Sequence, residues 1–168
     1  MTFRIEALPP EPFASLFTLP DAELRLKGAC RLQVDEDPGY PCRVSLEDAR
    51  IGEDVILVNH DHLPGSGPYA ARHAILVRHG AVRADPSPGE VPDMLRRRDL
   101  SLRAFDDGRM LRHARLVEGK AVEGALADLL SLPDVAQVQI HFAAPGCYAA
   151  RAMRWDAHAR SARSALRP

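Results

Sequence analysis

Aromatic residues are scarce in this chain: Phe, Tyr and Trp make up 5% of 168 residues, while apolar residues as a whole make up 46%. A core with so few rings has to rest on Leu, Val, Ile and Ala, and at this length one core can bury about 70% of the unfolded surface. Lysine is almost missing, since only Lys27 and Lys120 stand among 22 basic residues and the other 20 are arginine. Acids offset them to a net charge of −1, so no global field draws the chain to nucleic acid or to an anionic membrane. Cysteine is limited to Cys30, Cys42 and Cys147, an odd and small set that excludes a disulfide framework and points to a reduced, cytoplasmic setting. No apolar run approaches the roughly 20 residues a bilayer span needs. The opening "MTFRIEALPPEPF" has no basic segment followed by an apolar one, so it does not read as a secretory signal.

What is there alternates. "FRIEAL" (3–8), "ACRLQVD" (29–35), "EDVILVN" (53–59) and "HAILVRH" (73–79) read as strands, the last two buried. Pro20 breaks residues 11–28 into two short helical turns, with Asp21 as an N-cap and Gly28 as a stop. "PGSGP" (64–68) and "ADPSPGEVP" (84–92) are loops, the second leading into a short helix at "PDMLRRR". "LSLRAF" and "RMLRHARLV" form a hairpin in which Asp107-Gly108 supplies the left-handed positions of the turn. The main helix is predicted over 120–132, apolar at Val122, Leu126, Leu129 and Leu130 and stopped by Pro133. "AQVQIHF" and "CYAARAMRW" close the pattern around "AAPG". The expectation is a single α+β domain over residues 1–155. It comprises a mostly antiparallel, strongly curved sheet, the 120–132 helix packed on it, and short helices. Residues 156–168 form an Ala/Arg-rich tail, helical or frayed.

Histidine is concentrated in "NHDHLPGSGPYAARHAILVRH", which holds His60, His62, His73 and His79. On a strand, His60 and His62 point to one face and Asp61 to the other. That spacing suits two ligands of one zinc. However, Pro64, Gly65, Ser66 and Gly67 stand where a metallo-hydrolase or cupin-like motif would place its next ligands, so no metal and no cofactor are expected. "GSGP" lacks the Gly-Lys-Ser/Thr ending of a phosphate loop. The arginines at 96–98 and in the tail lack interleaved aromatics, so no nucleic-acid partner is expected either.

Several stretches together carry a resemblance: "PGYPCRVSLEDARIGEDVILV", "PY" at 68–69 followed by "ILVRHGA", "PGEVPDMLRRR" and "PGCYAARAMR". Over Phe3 to Arg154 the chain resembles a bacterial family catalogued only as domain of unknown function 1203. The resemblance implies a compact bacterial domain and no established activity. Arg72 and His73 replace a Ser-Gly-Pro turn of the family pattern, and His60 replaces an aromatic residue, whereas His62 stands where histidine is usual. These departures speak against a mechanism that needs His60 or His73.

Three functions remain open. Arg43 and Arg151 lie in the resembling segments and present forks suited to carboxylate or phosphate, with His62 and Tyr69 beside the glycine-rich loop. A pocket for a small polar or anionic ligand is the first reading. A thiol- or metal-dependent enzyme is the second, with Cys147 as nucleophile and His141 as its base, or with His62. A structural or partner-binding module is the third. Sequence leaves the oligomeric state open.

Overall fold

A computed structural model of the chain describes residues 2–156. Apart from Asp156, the tail segment lies outside the described residues. Eight strands form: β1 (Thr2–Glu6), β2 (Ala29–Gln33), β3 (Asp54–Leu63), β4 (Ala71–Arg78), β5 (Leu100–Phe105), β6 (Leu111–Val117), β7 (Gln137–Phe142) and β8 (Tyr148–Trp155). Four helices accompany them: α1 (Glu11–Ala14), α2 (Asp21–Leu26), α3 (Asp93–Arg96) and α4 (Val122–Ser131). The α+β class and antiparallel pairing expected from sequence are present, but the strands divide into two sheets. The larger has the order β1-β8-β7-β5-β6 and the smaller β2-β3-β4.

Period-two alternation sorts the large sheet into two faces. Phe3, Ile5, Leu100, Leu102, Ala104, Val138, Ile140, Ala150 and Ala152 are buried in one cluster with Val122, Leu126, Leu129 and Leu130 of α4. Arg154 closes the helix from this side, donating from Nε to the carbonyl of Leu130 at 2.7 Å and from Nη2 to that of Leu132 at 2.6 Å. These carbonyls belong to the helix end, where no further turn satisfies them. A single row of opposed residues crosses the other face, Glu6–Arg151–Gln139–Arg103–Ala114. The small sheet packs near this polar face through a second apolar cluster containing Ile56, Val58, Ile75, Val77, Phe13, Leu16 and Tyr148.

Three local expectations are corrected. The helix predicted over 120–132 is α4 at 122–131: residues 119–121 form a 3₁₀ turn, and Leu132 is extended, as the residue before Pro133 must be. Asp21 is the first helical residue of α2 and not its cap; Pro20 holds that position. In the β5–β6 turn the left-handed residue is Arg109, with φ 61°, and neither Asp107 nor Gly108 has a positive φ. Arg109 N bonds Asp106 O at 3.0 Å, and a register shift falls between Ala104 and Phe105. A tight turn followed by one left-handed residue is the geometry of a bulged hairpin.

Gly119 is buried where the 3₁₀ turn meets α3, and a Cβ there would be driven into the carbonyl oxygens of Leu95 and Arg96. Gly124, inside α4, has open space around it. We predict that Gly119→Ala costs about 1–3 kcal/mol in urea unfolding. Gly124→Ala should instead gain about 0.5–1 kcal/mol.

Candidate functional site

Along β3 and β4 the inner face of the small sheet begins apolar and ends polar. Ile56 and Val58 on β3, and Val77 and Ile75 on β4, lie in the core. Two residues further along each strand the same face carries His60 and His73, which are paired with each other. His62 follows at a break in register between Asp61 and Leu63. Opposite stand Arg103 of β5, Gln139 and His141 of β7, and Tyr148 of β8, all on the face of the large sheet away from α4. There too the register shifts, between Ile140 and His141. Bulges of this kind re-aim side chains, and here they border the same seam from both sheets.

The rings form an ordered stack. His62 lies between His73, at 4.5 Å and 18°, and Tyr148, at 5.0 Å and 12°. His141 stands edge-on to His62, His73 and Tyr148 at 5.2, 5.3 and 5.9 Å. Gln139 joins the sheets: its Nε2 donates to the carbonyl of His62 at 3.0 Å, and its Oε1 accepts from His62 Nδ1 at 2.9 Å. His141 faces two acceptors, Gly146 O at 3.1 Å from Nδ1 and Gln139 Oε1 at 3.3 Å from Nε2. Neutral imidazole has one N–H, and the shorter contact to a carbonyl not otherwise engaged with a histidine places it on Nδ1. Two buried nitrogens, His62 Nε2 and His73 Nδ1, have no hydrogen-bond partner among the described residues.

Burial sets the charge state. It lowers the pKa of His141 to about 3 and of His62 to about 4, and it lowers those of His60 and His73 as well. The charge of Arg103 adds to the effect at His62, His73 and His141. For His141 the carbonyl of Gly146 pulls the other way and loses, because the ring is 0% exposed. Burial also raises Tyr148 to about 12. The seam is therefore neutral near pH 7 except for Arg103, whose half-buried guanidinium has no ion pair or hydrogen bond among the described residues.

Of the residues singled out from sequence, His62 and His141 meet in this seam. Arg43 lies behind it, 3% exposed, donating to Tyr148 O at 2.9 Å and to Pro41 O, with its guanidinium 5.0 Å from the Phe142 ring centroid. Burial lowers its pKa to about 10. Arg151 is paired with Glu6 towards the sheet edge. Tyr69 is on the β3–β4 loop, edge-on to Phe105 at 6.0 Å. Cys147 Sγ approaches Pro145 O at 3.8 Å, while both ring nitrogens of His141 are turned to Gly146 and Gln139. Among the described residues no group of three or more His, Cys, Asp or Glu side chains could hold a metal ion. His62 and His73 lie nearly ring on ring, so their in-plane lone pairs do not meet at one point. His79 packs on Phe17 instead.

Sequence reasoning missed His73, Arg103, Gln139 and Tyr148. Counting outward from the pair Leu63 and Ala71 sets His73 opposite Asp61, and only the register shift between Asp61 and Leu63, which the sequence does not show, brings it opposite His60. Arg103 and Gln139 become neighbours only through the β5–β7 pairing, which joins strands distant in sequence.

The fold defines the class: an α+β protein of two antiparallel sheets, with a seam lined by histidines and Arg103 between them. The profile of a family described as protein of unknown function, DUF1203, matches residues 39–154, which take in every residue of the seam, and the chain belongs to that family. Neither a curated protein nor a solved structure matches the chain.

Neutral histidines make stability depend on pH with a definite sign. Unfolded histidine titrates near 6.5, whereas these titrate lower in the fold, so acidification below about 6.5 protonates the unfolded chain first. Stability is full above that pH and is lost as pH falls towards 4. His141 alone should account for about 2 kcal/mol between pH 7.5 and 5.0. Urea midpoints at the two pH values measure the loss, and His141→Asn should reduce the slope; an unchanged midpoint in the native protein would contradict neutral burial.

Proposed function

We propose that the protein binds a small oxyanion in the seam between the two sheets, with Arg103 supplying the charge and His62, His73, His141 and Tyr148 forming the walls. One observation carries the reading. A guanidinium without an ion pair among the described residues stands beside two buried ring nitrogens, His62 Nε2 and His73 Nδ1, that no described residue satisfies. A buried polar atom without a partner costs about 1–3 kcal/mol, and an unpaired arginine in a partly dry site is costly as well. A ligand that meets both offsets both. A purely structural role leaves these groups unexplained. The charge of Arg103 favours an anion over a cation at these histidines, since it would repel a metal there.

In this reading Arg43 is a brace rather than a ligand contact, and Arg151 stays with Glu6. The thiol alternative has less support, because no hydrogen bond joins Cys147 to a base among the described residues.

Thermal unfolding at matched ionic strength tests the proposal with millimolar phosphate, sulfate, glycolate and acetate. At least one should raise the Tm of the native protein. Arg103→Gln should abolish the rise, and Arg151→Gln should retain it. If no anion acts, or if Arg103→Gln responds as the native protein does, the proposal fails.

A further inference from the structure

The geometry narrows the ligand class, on the reading that Arg103 marks an anion site. The Gln139 amide cannot be turned over. Its nitrogen bonds the carbonyl of His62 at 3.0 Å, and reversal would set two carbonyl oxygens against each other. Its oxygen therefore faces His62 Nδ1 at 2.9 Å, where only a protonated nitrogen can bond. The one N–H of the neutral ring is thereby spent, and Nε2 is left as a lone pair. That atom is buried, has no partner among the described residues and belongs to a ring packed between His73 and Tyr148. It can accept a hydrogen bond and cannot donate one.

A bare oxyanion would therefore place lone pair against lone pair at Nε2. An oxyanion with a hydroxyl of its own donates that hydrogen to Nε2 and leaves its charged oxygens to Arg103. We infer that the site selects oxyanions carrying an O–H, such as a hydroxycarboxylate or hydrogen phosphate, and rejects those whose oxygens are all unprotonated. The selection resembles that of any site whose buried acceptor demands a ligand donor: the analogue lacking it leaves a polar atom unpaired and is penalised heavily.

The groups facing the His62 ring are His60 on its own strand, His73 from β4, Arg103 from β5, Gln139 and His141 from β7, and Tyr148 from β8. None is a carboxylate, so no described residue in the seam holds a second proton on the ring. A bare anion can be accepted only with uptake of a proton by His62, and its affinity must then rise as pH falls. A hydroxylated one binds without that uptake.

Calorimetric titration of the whole protein at constant ionic strength tests this with two pairs of matched size, hydrogen phosphate against sulfate and glycolate against acetate. At pH 7.5 the hydroxylated member of each pair should bind at least about tenfold more tightly. Acetate should gain about tenfold in affinity for each unit the pH is lowered towards 6.0, and glycolate should not. His62→Phe, which keeps a ring in the stack and removes the acceptor, should shrink the preference to within about threefold. Equal affinities within both pairs in the native protein overturn this inference and leave the anion site standing. Absence of binding by all four, with Arg103→Gln indistinguishable from the native protein, overturns the anion site and this inference with it.

Discussion

The amide of Gln139, 1% exposed, bonds both the ring and the backbone carbonyl of His62 and so ties β7 to β3 at two points. One rigid planar group thereby sets the height of the bulge at His62, the plane of its ring and the nitrogen that bears its proton. The stack with His73 and Tyr148 follows from that plane, and His141 stands edge-on to it with its Nδ1–H given to the Gly146 carbonyl. Each such bond contributes only about 0.5–1.5 kcal/mol net. Its larger effect is on uniqueness, because a buried amide satisfied at both ends admits one arrangement of its neighbours.

Arginine does elsewhere in this chain what aromatic bulk and lysine do in others. Arg43 and Arg98 both lie over the Phe142 ring, at 5.0 and 5.3 Å. Arg98 also grips Asp48 with two parallel bonds of 2.6 and 3.0 Å and the carbonyl of Met94 at 2.8 Å, while Arg154 holds the end of α4. A planar fork with five donors can fasten several carbonyls at once, which a lysine cannot. Arg25, Arg50, Arg72 and Arg97 also make no side-chain hydrogen bond or ion pair among the described residues, but they are exposed; the idle guanidinium of Arg103 is half-buried, and its place among neutral imidazoles gives it its chemical meaning.

Much of the fold was legible in the sequence. Alternation and the Pro and Gly boundaries mark all eight strands and α4, because the period shows where a segment buries one face; β6, which has no buried residue, is marked by its turn with β5. The end of β3 was harder: the pattern turns polar after Val58, so the strand predicted over 53–59 stops short of residues 60–63, whose inner face meets a polar seam rather than a core. Division into two sheets was not legible, since it depends on which strands fail to pair. The site was half legible. His62 stood out by its spacing and His141 by its neighbour Cys147, yet His73 looked like a strand residue and Arg103 like one surface charge among many. Their roles arise from cross-strand register and from the approach of one sheet to the other, neither of which is local.

In the large sheet β1 is an edge strand paired with β8, with Thr2 opposite Trp155 and Glu6 opposite Arg151. A pairing that spans so much of the chain carries a large loop-closure cost, which the burial it completes must offset. Tyr148 begins the same strand, so the closing of that long loop and the wall of the ring stack are both built on β8.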